Sequence, residues 1–419
     1  MNADLPKMSL VRQSFDSSEI PDLGTRLREG LRKQLSRDPL PVGSTVAIGV
    51  GSRGVSPVVE VVQVLVQELE AAQLHPFIVP AMGSHGGATA QGQATVLRDY
   101  GVCEDSVGAP IRATMDTVEL GRTSDGITVH LDAAAASAER VIVIGRVKPH
   151  TGFRGPIESG LCKMSVVGLG NRKGAESIHA HPLATAIPSA ARVAAESGHF
   201  LCGIALVENA FDRPACVRVV CPSAFHSTDE TLLKTAAKLL PRLPVDQLDG
   251  LLVDRMGKNI SGSGLDPNVV GMWRRFRELE RTPDFGWLAV LGLTPESHGN
   301  AVGMGLADLC SQKLISAIDY EVVAMNILTA MALDAAKTPL ALPTDQACFD
   351  VICGLARRRV DRPLRLGRIK NTLELETFWV SDAVLDDLPL RCEVVPARVP
   401  FGFQRDGMIL ETDAFEVSE

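Results

Sequence analysis

An α/β fold in two domains is predicted from three observations. The chain is 419 residues long, too much for one simple core at roughly 150 residues per domain. Its apolar runs alternate with amphipathic stretches in the order strand, loop, helix. The three strongest runs all lead into loops rich in Gly, His and Arg, and in open α/β sheets ligands bind beyond the carboxyl ends of the strands.

Taken in order, residues 44–51 (STVAIGVG) read as a buried strand and residues 56–72 as a helix. Pro57 sits in its first turn, and Val58, Val61, Val62, Leu65 and Leu69 recur at helical spacing. A second strand, 76–81, leads into the glycine loop 83–87 and a helix near 93–100. A third strand, 140–145 (RVIVIG), runs into the loop 146–155, and a helix follows over 182–197. Residues 203–220 read as two further strands and 229–240 as a helix ending in PRLPVDQLDG. The N-terminal unit is therefore expected to be Rossmann-like, with a largely parallel sheet over residues 1–235. The segments 250–254, 287–293, 319–333 and 372–380 predict a smaller C-terminal α/β domain over 236–419. Its tail from about residue 386 could return to the first domain. The site is expected in the cleft between the two.

Composition narrows the function. Apolar residues make up 45% and charged residues 22%, ample for a globular core. The 42 basic and 50 acidic residues give a net charge of −8, the opposite of the field that attracts a phosphate backbone. With only 13 Phe, 3 Trp and 2 Tyr, platforms for stacking bases are few, so no nucleic-acid partner is expected. No apolar run approaches the roughly 20 residues that cross a bilayer, and the N-terminus lacks the basic start and apolar core of a signal peptide. A cytoplasmic protein with no membrane partner is expected, and a homo-oligomer is left open. The nine cysteines are odd in number, scattered and without C-x-x-C, which indicates neither a disulfide frame nor a zinc ribbon.

The first strand-end loop contains Gly49, Gly51 and Gly54 in a G-x-G-x-x-G pattern with Arg53 beside them, suited to a phosphate at a helix N-terminus. A dinucleotide ribose calls for an acidic residue near the end of the second strand, where Val79-Pro80-Ala81-Met82 stands instead. The second loop places His85 among small residues, as a candidate general acid or base. The third is the densest, with Lys148, His150, Arg154, Glu158 and Lys163, followed by Glu176, His179 and His181. Histidines shuttle protons near neutral pH or ligate metal, and a lysine holds an anion or forms a covalent adduct.

In the order and setting of these motifs the chain resembles the nickel-dependent lactate racemase family, which uses a nickel-pincer nucleotide. The resemblance rests on Arg53, Gly83-Ser84-His85, Pro149-His150, Lys163, Gly168 and Glu176-Ser177-Ile178-His179, nearly all within residues 40–200. It implies His85 and His150 as the acid/base pair, Lys163 as the covalent anchor of the cofactor and His179 or His181 as the nickel ligand. Val50 stands where the family carries an acidic residue, and the stretch between His150 and Lys163 is longer than usual, so a divergent member is expected. The implied activity is racemisation or epimerisation of a small-molecule 2-hydroxy acid. Hydride transfer requires a base on either face of the carbon and an acceptor that only a cofactor supplies. Arg154 and Lys148 are candidate anchors for the substrate carboxylate, as are Lys258, in the glycine-rich segment 258–264, and His298. Gln312 and Lys313 loosely match the family's substrate contacts. Two alternatives remain at this level: a binding or regulatory protein of the same fold with no cofactor bound, and an NAD-dependent oxidoreductase.

Overall fold

The first strand, β1 (Met8–Gln13), lies where periodicity gives no signal, and it decides the domain boundary. The structure is a computed structural model that describes residues 6–51, 56–277, 279–330 and 333–410. The chain divides into one unit of Asp16–Leu240 and another made of the segment up to Phe15 together with Pro241 onward. The start of the chain, expected in the N-terminal domain, thus belongs to the C-terminal unit. There β1 pairs with two strands of that unit, burying Leu10 and Val11. The tail beyond residue 386 also stays with this unit.

In the Asp16–Leu240 unit the strands are β2 (Thr45–Val50), β3 (His75–Pro80), β4 (Thr117–Arg122), β5 (Thr128–Asp132), β6 (Arg140–Arg146), β7 (Phe200–Glu208) and β8 (Pro214–Val220). Five form one sheet in the order β3-β2-β6-β7-β8. The first four run parallel, and β8 turns back antiparallel on β7. β4 and β5 form a separate antiparallel pair. Alternate residues of β2 enter opposite cores, because successive side chains of a strand point to opposite faces. Val46 and Ile48 pack with Leu27, Leu31, Val61 and Leu65 from helices Leu23–Arg37 and Val58–Ala71. Ala47 packs with Ala186, Ala190 and Phe225 from helices Leu183–Glu196 and Phe225–Leu239. The chain steps from β2 to β3 on one side and later to β6 on the other, so the strand order reverses between β2 and β6. That reversal opens a crevice at the carboxyl ends of the strands, where α/β sheets place ligands.

The other unit carries β9 (Gln247–Val253), β10 (Asp284–Val290), β11 (Leu309–Ser311), β12 (Leu340–Leu342), β13 (Leu366–Ile369), β14 (Thr377–Ser381) and β15 (Cys392–Val394). Its sheet runs β12-β11-β10-β9-β13-β14-β1-β15, parallel from β12 to β13 and antiparallel thereafter. Although this unit has fewer residues, its eight-stranded sheet is the larger of the two. The strand expected at 372–380 begins only at Thr377, because Asn371 ties a turn: its Oδ1 accepts from the amides of Leu373 and Glu374, both at 2.8 Å. Among the described residues no helix is long and apolar enough to cross a membrane.

Candidate functional site

The segment after β6 is built around a buried carboxylate. Glu158 accepts from the amides of His150 at 2.7 Å and Gly155 at 3.1 Å, and pairs with Arg154 at 3.2 Å. Arg154 also donates to the carbonyl of His150 at 2.7 Å. The Ser159 hydroxyl and the backbone of Lys148 exchange two bonds of 2.7 Å. Loop 148–159 is therefore folded on itself, and His150 is presented from a fixed backbone.

The chain then turns at Gly160 into a short α-helical turn, Leu161–Lys163, followed without a break by a π-helical turn, Met164–Gly168. Turns of that kind are rare and gather at functional sites. The side chain of Lys163 reaches back so that its Nζ lies 2.7 Å from His150 Nε2. The other ring nitrogen is engaged as well. Gly152 N–H donates to His150 Nδ1 at 2.9 Å, which holds the ring from its other side.

Three strand ends meet at the π-helical turn. From β2, a Cβ built on Gly49 would lie 3.1 Å from Leu169, and one on Gly51 would lie 3.0 Å from the Met164 methyl. From β3, the amide of Gly83 donates to the carbonyl of Gly168 at 2.9 Å, and the Gln93 amide fixes the Gly83 carbonyl at 2.9 Å. His85 follows two residues later, exposed at the start of the turn Gly86–Ala88. From β6 come His150 and Lys163. The room at Gly49 and Gly51 is thus taken up by Leu169 and Met164, which accounts for two glycines of the dinucleotide-like pattern by packing. Arg53 and Gly54 lie outside the described residues.

His179 closes helix Asn171–His179, and its Nδ1 donates to the carbonyl of Ala175 at 2.6 Å. The last carbonyls of a helix lack intrahelical partners, so this bond satisfies one of them and leaves Nε2 as the bare nitrogen. Desolvation by the surrounding protein holds His179 below its ordinary pKa of 6.5, against the Ala175 bond, and the charge of Lys163 when protonated acts in the same direction as desolvation. His179 is thereby set as a neutral imidazole, the ligating form. His181 is exposed in the turn beyond the helix. Among the described residues no group of three or more His, Cys, Asp or Glu could hold a metal ion.

The remaining expected contacts belong to the C-terminal unit. Lys258 Nζ donates to the carbonyl of Gly262 at 2.9 Å and to Asn326 Oδ1 at 3.3 Å. His298 takes a left-handed conformation after the turn Pro295–Ser297 and is exposed. Gln312 is exposed at the start of helix Gln312–Ser316, and Lys313 pairs with the buried Asp345 at 3.0 Å. Sequence reasoning missed Glu158 as the organiser of its loop, and missed Asp229, a buried carboxylate beneath Leu161 and Cys162. Periodicity carries no signal for either.

Residues 45–186 match the family model of the lactate racemase N-terminal domain. The match covers about a third of the chain, all of it within the Asp16–Leu240 unit. His85, His150, Lys163, His179 and His181 all fall inside the matched segment, and Asp229 falls outside it. Among solved structures the chain is similar to the lactate racemase apoprotein of Thermoanaerobacterium thermosaccharolyticum, with 11% identity and a TM-score of 0.48 over 87% of this chain and 99% of that one. No curated protein matches significantly.

Proposed function

We propose that the chain is an isomerase, a racemase or epimerase of a small 2-hydroxy acid, in which His85 and His150 act as the acid/base pair. The observation that carries this reading is the contact of Lys163 Nζ with His150 Nε2 at 2.7 Å, at the carboxyl end of the parallel sheet, within the segment that matches the lactate racemase N-terminal domain. An acid/base histidine and an amine are then side by side. Each histidine takes or returns the hydroxyl proton on its own face of the reacting carbon. Glu158 holds the His150 loop in place for this transfer. Arg154 and Lys148 are the proposed anchors of the substrate carboxylate and hydroxyl.

The residues fit a nickel-pincer nucleotide. His179 offers one bare imidazole nitrogen and Lys163 an amine. Lys163 would hold this group covalently, Arg53 and Gly54 would line its phosphate, and His179 or His181 would ligate the nickel. When bound it supplies the electrophilic hydride acceptor that no side chain provides.

The test is to produce the chain together with cofactor-making enzymes and measure metal content, intact mass and racemisation across a panel of 2-hydroxy acids in a cytoplasmic-type buffer. We expect nickel, a mass increment lost in Lys163→Ala, and turnover that falls on the order of 100- to 10,000-fold in His85→Ala and His150→Ala with circular dichroism unchanged. Full activity in both histidine variants would remove the acid/base assignment. Absence of nickel, increment and turnover together would leave a binding or regulatory protein of the same fold.

A further inference from the structure

The turn that carries Lys163 rests on a carboxylate that the acid/base reading does not use. Asp229 lies on helix Phe225–Leu239 and is fully buried. It accepts from the amide of Leu161 at 3.0 Å and from the amide of Cys162 at 2.8 Å, and the Cys162 thiol donates to the same carboxylate. The first amides of a helical turn have no partner within it, and a buried amide must find one. Both are satisfied here by one side chain nearly seventy residues further along the chain, beyond the segment matched by the racemase domain.

The fit around this carboxylate is close. Gly160 has φ +94°, and a Cβ there would lie 2.3 Å from Asp229 Oδ1. On the opposite side, a Cβ on Gly145 at the end of β6 would lie 2.8 Å from the carbonyl carbon of Gly160. The turn is clamped between the sheet and Asp229. Burial pushes the Asp229 carboxyl up to about 6, against the bonds from Cys162 and Leu161. A buried carboxylate is a costly way to cap a turn that a hydroxyl could cap, which suggests that two fixed acceptors are required at this point.

We propose that Asp229 is a positioning residue, fixing the Leu161–Lys163 turn so that the Lys163 amine meets His150 Nε2. The proposal rests on the reading of His150 and Lys163 as working residues, but its test requires neither substrate nor metal. The full chain is produced with nitrogen-labelled histidine, and the His150 ring resonances are compared in the native chain, Lys163→Met and Asp229→Asn. Lys163→Met removes the partner of Nε2 outright and sets the scale of the shift. In Asp229→Asn, with circular dichroism and the His75 and His298 resonances unchanged, we expect His150 to move at least half of the way to its Lys163→Met position. A merely structural role would leave the His150 signal in place. If Asp229→Asn folds and His150 stays at its native position, the proposal is overturned. If Asp229→Asn does not fold, the carboxylate is a core requirement and the proposal fails as well. If Lys163→Met itself leaves His150 unmoved, the contact is not made in solution and there is nothing for Asp229 to position. Failure of the racemase reading would appear separately, as absent turnover and nickel with the His150 shift still present.

Discussion

At the scale of single residues, His179 and His181 look equivalent in the sequence, and a hydrogen bond separates them. The His179 ring bonds the carbonyl four residues back, which fixes its tautomer and leaves Nε2 for a metal. We predict that His179→Ala abolishes nickel retention in protein co-produced with cofactor-making enzymes, while His181→Ala keeps most of it, as read by metal analysis after gel filtration. Nickel retained in His179→Ala and lost in His181→Ala would reverse the assignment. Because His179 is held below 6.5, it stays neutral as the pH falls through the range where an ordinary histidine protonates. Metal release on acidification should therefore have its midpoint below 6.5.

At the scale of elements, the π-helical turn and the β3 loop depend on close backbone approach. Gly83 has φ +61°, and a Cβ there would lie 3.0 Å from the Val167 carbonyl, whereas Gly87 has φ +67° with open space around it. Both would pay the left-handed penalty of roughly 1–2 kcal/mol on replacement by Ala, but only Gly83 would also push against the turn. Gly83→Ala is expected to lower stability measurably more than Gly87→Ala in urea denaturation; equal losses would show that the approach is soft. Asp229 adds a dependence on pH. Its folded pKa of about 6 stands above the ordinary 3.8, so between those values the folded state binds more protons than the unfolded state, and stability falls as the pH rises. The stability of the native chain relative to Asp229→Asn should decline by about 2 kcal/mol from pH 4 to pH 6 and level off above about pH 7. A flat difference across that window would show that Asp229 ionises normally.

The candidate site was legible in part at this scale. His85 and His150 stand out because each follows soon after an apolar run that reads as a buried strand, and loops at strand ends are specified by local glycines and prolines. The π-helical turn was not legible, because its register depends on Gly49, Gly51 and Gly83 making room for Leu169, Met164 and Val167 from another part of the chain.

At the scale of the molecule, the two units are not two consecutive stretches of chain. β1 lies between β14 and β15, with Leu10 opposite Trp379 and Val11 opposite both Phe378 and Val394. Deleting residues 1–15 should strip the β14 edge of its partner, leave β15 unpaired and lower the melting temperature. Losing the buried side chains of Leu10 and Val11, worth roughly 1.5–3 kcal/mol each, should cost several degrees. Thermal melting followed by circular dichroism checks this, and an unchanged transition would mean that β1 contributes no net stability.

The sequence by itself determined the α/β class, the alternation of β2, β3 and β6 with helices, and the strand-end placement of His85 and His150. These follow from periodicity and turn chemistry, which act between residues a few positions apart. Only the tertiary structure decided that β1 joins the C-terminal sheet, that Glu158 folds the His150 loop, that His179 rather than His181 has its tautomer fixed, and that Asp229 holds the turn beneath Lys163. The reason is physical: a buried amide or an unpaired strand edge must be satisfied by whatever group the fold brings alongside it. Leu161 and Asp229 are 68 residues apart, and no local pattern records that they meet.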